Sequence, residues 1–214
     1  MTNKAIIPGI LTDNLRELQK KLDLASDFCT RVSIDVIDGL FADNLTVMPE
    51  SFSGLEFYNL SVDVQLMVVD PVEYLGYLHG KNVVRVFGHI ERMGNINEFI
   101  DECRELSFKP GLALDLYTPA DSIEELHLES ISGILLMSVQ AGFSGQEYVD
   151  ISKKVKEIKE RGFEGDIVVD GGMNKETISN LFKIGVNQFS VTSNIWKSND
   201  PGLRYKQLVD LLKT

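Results

Sequence analysis

The sequence predicts a closed (β/α)8 barrel, a TIM barrel, on three observations. Short apolar runs recur at intervals of roughly 20 to 35 residues with helix-like segments between them, as βα units do. The runs are continuous rather than alternating, the pattern of strands covered on both faces. Two end in a carboxylate beside glycine: Ile167-Val168-Val169 leads into Asp170-Gly171-Gly172, and Ile34-Asp35-Val36-Ile37-Asp38-Gly39 repeats the plan earlier. Barrels of this kind build their reactive mouth at the carboxyl ends of the strands.

Strands are expected at residues 4–7, 31–37, 61–68 and 82–87, then at 111–116, 133–139, 166–169 and 188–191. Eight of them with intervening helices favour a closed barrel over an open sheet. The clearest helices are expected at 14–24, 96–106, 146–161 and 175–184. In the third, Val149, Ile151, Val155 and Ile158 form an apolar stripe while lysines and glutamates mark the wet side. Asn174, followed by Glu176 and Thr177, has the makings of an N-cap. No linker, low-complexity stretch or charge block divides the chain, so residues 1–214 are read as one domain.

A chain of 214 residues, 43% hydrophobic and 25% charged, suffices for one sizeable core. A formal net charge of −11 argues against non-specific binding to nucleic acid or to an anionic membrane. It does not exclude an anionic substrate, which backbone N–H groups can hold locally. Two cysteines, Cys29 and Cys103, lack metal-ligand spacing and fit free thiols in a reducing cytoplasm. Met1-Thr2-Asn3-Lys4 does not open a signal peptide, and no apolar run reaches the length of a membrane span. The expected location is cytoplasmic.

Polar residues collect where a barrel would place its mouth. Period-two alternation sets Ser33 and Asp35 on one face of the second strand, and Gln65 and Met67 on one face of the third. Strand ends add His89 with Glu91, Asp115, Met137, Asp170 and Ser193. Taken singly, His89 fits a hydrogen-bonded strand-end residue better than a catalyst, and Met67 and Met137 fit plain core. Convergence on one rim favours function. The loop Gln140-Ala141-Gly142-Phe143-Ser144-Gly145-Gln146, the pair Gly171-Gly172 and the stretch Thr192-Ser193-Asn194 each fit an ordinary tight turn. Together, after the sixth, seventh and eighth strands, they form a backbone cradle for a phosphate.

The chain resembles the ribulose-phosphate 3-epimerase family almost end to end. The likeness rests on Ile7-Pro8-Gly9-Ile10-Leu11, Ile34-Asp35-Val36-Ile37-Asp38-Gly39-Leu40-Phe41 with Asn44-Leu45-Thr46, and Asp63-Val64-Gln65-Leu66-Met67-Val68. His89-Ile90-Glu91, Gly111-Leu112-Ala113-Leu114 with Thr118-Pro119, residues Met137 to Gln146 and Val169-Asp170-Gly171-Gly172 follow in order. The resemblance implies a barrel of the ribulose-phosphate-binding type and a ketose phosphate as small-molecule partner. The implied reaction inverts the C3 centre through an enediolate, with Asp35 and Asp170 as acid and base on opposite faces. It implies a homo-oligomer as well.

The departures are specific. Family members hold a divalent metal, often zinc, with two histidines and those same aspartates. The histidine positions align with Ser33 and Gln65, poor replacements at a zinc site. Gly9 stands for a serine, Ala141 for a proline, Ser144 for a glycine and Thr192 for a glycine. The chain is thus read as a divergent member without the metal-binding histidines. No metal or other cofactor is expected, a weakly bound divalent ion being the alternative. The substrate-binding set is Ser33, Gln65, Met67, Met137, Gly142, Phe143, Ser144, Gly145, Gly171, Gly172, Thr192 and Ser193. A sugar-phosphate-binding paralogue with little turnover, or another phosphate-handling barrel enzyme, are the competing readings.

Overall fold

In the computed structural model, which describes residues 4–213, eight parallel strands close into a barrel in chain order. They are β1 (Ala5–Ile10), β2 (Arg31–Ile37), β3 (Ser61–Met67), β4 (Val83–His89), β5 (Lys109–Leu114), β6 (Gly133–Met137), β7 (Asp166–Asp170) and β8 (Gln188–Val191). Pairing of β1 with β8, from Ala5↔Gln188 to Pro8↔Val191, closes the ring. Around it run α1 (Leu15–Ser26), α2 (Val72–Leu78), α3 (Ile96–Glu105), α4 (Glu125–Leu128), α5 (Ser152–Glu160), α6 (Lys175–Lys183), α7 (Ser193–Trp196) and α8 (Pro201–Asp210). The (β/α)8 architecture is the one expected. Residues 1–3, on which the leader question partly turns, lie outside the described residues. Among those described, no helix is long and apolar enough to cross a membrane.

Local chemistry sets the helix boundaries. Asn174 caps α6 as expected: its side chain accepts from the Glu176 and Thr177 N–H groups, and Thr177 completes a capping box. Asn14 and Asn95 cap α1 and α3 in the same way. The helix expected over 146–161 begins only at Ser152. Upstream of it, the Val149 N–H bonds Ser138 O, and Gln146 Nε2 donates to Gln140 O and Phe143 O. Val149 is accordingly 45% exposed and not part of the buried stripe, which Ile151, Val155 and Ile158 make without it.

Two separate cores result. The larger lies between strands and helices. The smaller fills the barrel itself and includes Phe87, Leu135, Val168 and Met137. Gly111 is bare because the Phe87 ring occupies the axis: a Cβ there would sit 2.4 Å from a ring carbon. Cys29 and Cys103 are free and buried, and burial pushes the thiols up to about 11 and about 12.

The amino-terminal end of the barrel is plugged by charge. Arg85, 1% exposed, donates from Nη2 to Asp63 Oδ2 at 2.6 Å and to Gln188 Oε1 at 2.7 Å, and from Nη1 to Asp166 Oδ2 at 3.1 Å. Arg31 grips both Asp63 oxygens from the rim. Removing one partner of such a pair strands the other charge in the core. Arg85→Met is expected to lower unfolding free energy by about 3–5 kcal/mol, read from urea denaturation monitored by circular dichroism. A loss under 1 kcal/mol would show the plug to be dispensable.

Candidate active site

The carboxyl ends of the strands surround a cleft. Asp35 enters it from β2, Met137 from β6 and Asp170 from β7. Residues Gly142, Phe143, Ser144 and Gly145 form one wall, Gly171-Gly172 a second, and Thr192-Ser193 a third. Both aspartates and all three expected loops thus share one cleft. Ser33, Gln65 and Met67 are buried in the barrel and do not line it. They belong to the layer behind: Gln65 is the register partner of Asp35, and Met67 that of Ile37.

Register explains how distant residues meet. Met137 pairs with Asp170, and Asp170 with Ser190, so these inward side chains share one level of a staggered barrel. Ser190 is a residue the sequence reading passed over. Its own signal was available, since it lies two places from the inward-facing Gln188. Lys197 was missed for a plainer reason: it comes from α7 and its immediate exit, far in sequence from the loop it reaches. Its Nζ lies 3.6 Å from the position a Cβ would take on Gly145.

The glycines do more than admit a ligand. Gly171 has φ 106° and a Cβ on it would meet Val139 at 2.5 Å; Gly172 has φ 63° and would meet the Tyr148 backbone at 2.6 Å. What approaches closely here is the loop after β6, folded against the loop after β7. Gly9 shows a different exchange. A Cβ there would lie 2.5 Å from Thr192 Oγ1 and 2.8 Å from Ser190 Oγ, so two hydroxyls fill the room its missing side chain leaves.

Electrostatics divide the two carboxylates. Burial raises the Asp35 pKa well above the ordinary aspartate value, and the Asp170 charge raises it further. Burial also raises Asp170, to about 6, and the Ser190 hydroxyl and the Gly171 N–H oppose that rise. Neither acid has a cation salt-bridged to it among the described residues. Asp35 Oδ1, Gln65 Oε1 and Ser190 Oγ are buried without a hydrogen-bond partner. The arrangement gives Asp35 the greater proton affinity of the pair.

The residues do not fit the zinc that the family resemblance implies. Ser33 and Gln65 supply no nitrogen ligand. His89 cannot replace one, because its Nε2 lies 2.9 Å from Gln65 Nε2 and its Nδ1 lies 3.3 Å from Glu91 Oε2. Among the described residues, no three His, Cys, Asp or Glu side chains converge as a metal cluster.

The profile of the ribulose-phosphate 3 epimerase family matches residues 5–196. A ribulose-phosphate 3-epimerase of Helicobacter pylori is 31% identical over 212 residues, covering 95% of both chains. The Bacillus subtilis enzyme of the same name is 29% identical over 205 residues, covering 91% of this chain and 93% of its own. Among solved structures, the orotidine 5'-phosphate decarboxylase of Pyrococcus horikoshii superposes with a TM-score of 0.67 at 14% identity, over 98% of this chain and 100% of its own. The thiamine phosphate pyrophosphorylase of Pyrococcus furiosus gives 0.62 at 16% identity, over 98% and 95%. Those two likenesses concern the fold alone.

Two outcomes follow from the buried acids. An acid whose pKa is raised on folding binds its proton more readily in the native state. Its destabilising charge therefore appears as pH climbs from the unfolded value near 4 through the folded value of about 6. Asp170→Asn is expected to stabilise the protein at pH 7.5 by roughly 1–3 kcal/mol and to have no such effect near pH 4, as read by urea denaturation at both. Equal effects at both values would contradict the shift. Purified protein dialysed against buffer is expected to hold well under one zinc per chain by elemental analysis. Stoichiometric zinc that survives dialysis would show a complete site.

Proposed function

We propose a reaction for this chain on one premise: it belongs to the ribulose-phosphate 3-epimerase family. It is an isomerase acting on carbohydrate, a sugar-phosphate epimerase. The finer reading is inversion at C3 of a ketose phosphate by proton removal from one face and proton return to the other. The observation that carries it is the pair Asp35 and Asp170, two buried acids from β2 and β7 that line one cleft and differ in proton affinity. Asp170, ionised near neutrality, takes the C3 proton of one epimer. Asp35, which holds its proton, delivers it to the opposite face. Roles reverse for the other epimer, as microscopic reversibility requires.

Proton removal leaves an enediolate whose charge needs donors in place before it forms. Ser190 supports this role: its buried hydroxyl lies beside Asp170 and is free of any hydrogen bond of normal geometry. Ser33 is buried one inward step below Asp35. The phosphate is assigned to backbone N–H groups of residues 142–145, 171–172 and 192–193, with Lys197 as the nearby cation. A cytoplasmic setting accords with the free buried thiols, and assembly into a homo-oligomer completes the reading by family likeness.

Proton exchange in heavy water, followed by NMR on D-ribulose 5-phosphate, tests the reaction directly. The wild type is expected to exchange and epimerise, with kcat/KM rising through about pH 6 as Asp170 ionises and falling again where Asp35 does. Asp35→Asn and Asp170→Asn should each lose epimerisation by at least ~100-fold while binding inorganic phosphate as tightly as the wild type. Full activity in either variant would remove that residue from the mechanism. Absence of exchange with any ketose phosphate would leave a binding protein.

A further inference from the structure

Behind the cleft runs a polar chain that proton transfer leaves unused. His89 ends β4 with no exposed surface. Its Nδ1 faces Glu91 Oε2 at 3.3 Å and its Nε2 faces Gln65 Nε2 at 2.9 Å. Burial pushes the Glu91 pKa up, but contacts to His89, Thr118 and the Asp115 N–H outweigh it and hold the acid at about 2. An ionised carboxylate only accepts, so Nδ1 donates to it. The second Glu91 oxygen accepts the Asp115 N–H at 2.6 Å, which ties the carboxylate to the end of β5.

The other end of the ring then has one role left. An amide nitrogen has no lone pair to offer, so His89 Nε2 accepts from Gln65. The remaining Gln65 N–H meets Met137 Sδ at 3.1 Å. Both amide hydrogens are spent, and the carbonyl Oε1 is buried with no partner. On the neighbouring strand, its register partner Asp35 also presents an unpartnered Oδ1. The bare Gln65 carbonyl, beside a carboxyl oxygen that also lacks a partner, calls for a molecule that brings a hydroxyl hydrogen.

We propose that Glu91 and His89 are positioning residues that lock the Gln65 amide behind the cleft wall, with its carbonyl left to accept a hydrogen bond from a substrate hydroxyl that reaches in between Asp35 and Met137, the cleft-lining neighbours of Gln65. The inference rests on the ketose-phosphate reading and deepens it, because it makes the site selective for a sugar that carries that hydroxyl. A deoxy analogue leaves the carbonyl buried and unpaired, a penalty that sites reading a hydroxyl impose strongly. Gln65 therefore acts as an acceptor.

Nitrogen-15 NMR of histidine-labelled protein at pH 7.5, paired with exchange kinetics on D-ribulose 5-phosphate, tests this. His89 should show a neutral ring with its proton on Nδ1. Glu91→Ala should give mixed tautomers and a kcat lower by about 10- to 100-fold, with affinity for inorganic phosphate unchanged. Gln65→Met should lose discrimination between the ketose phosphate and its deoxy analogues, whatever its absolute rate. A wild-type ring protonated on Nε2 would overturn the proposal, since Gln65 would then have to turn its carbonyl to His89. So would wild-type kinetics in Glu91→Ala, or discrimination intact in Gln65→Met. If Glu91→Ala does not fold, the wild-type tautomer and Gln65→Met still decide. The Nδ1 tautomer in a protein that exchanges no ketose phosphate would overturn the reaction while supporting the lock on Gln65.

Discussion

The ion pair between Arg85 and Asp63 is the interaction on which the interior depends. A barrel this small has one axis to fill, and it is filled here with charge at one end and apolar side chains in the middle. The guanidinium lies over the Phe87 ring, 4.4 Å from its centroid, so the same side chain closes the floor and seats the slab above it. Phe87 in turn needs the bare backbone of Gly111. Among the described residues Arg85 is the only wholly buried arginine, and with it committed to the floor no cation is salt-bridged to the acids at the mouth. Their proton affinities are a product of that separation.

On the acid/base reading proposed above, neutralising those acids would be costly: a lysine or arginine at the level of Ser190 or Gln65 would favour both charged carboxylates and leave no acid to return a proton. The barrel instead leaves them to burial and to each other. The restraint on Asp170 comes from a hydroxyl and a peptide N–H, groups that lower its affinity without taking its place in chemistry.

Much of this was legible in the residues. Strand number and order follow from the recurring continuous apolar runs, and the inward positions of Ser33, Asp35, Gln65 and Met67 from period-two alternation along them. Boundaries drifted where alternation stops being informative: β5 begins at Lys109 and β1 runs to Ile10, because neighbours in a staggered ring extend each other. The late start of α5 was hidden for a different reason. Apolar residues 149 and 151 keep helical spacing, but the chain there spends its hydrogen bonds on the end of β6 and on closing the loop over the cleft. His89 could be placed at a strand end from sequence. That its ring meets Gln65, 24 residues earlier, depends on the packing of Met137 and could not be.

Gly9 and Thr192 occupy one volume between them, and that has a consequence for descent. A side chain at position 9 would approach the Thr192 hydroxyl within 2.5 Å and the Ser190 hydroxyl within 2.8 Å, so those side chains must shift to admit it. Change at the two positions is therefore coupled: each looks freely replaceable by itself, yet what position 9 tolerates depends on where position 192 places its hydroxyl.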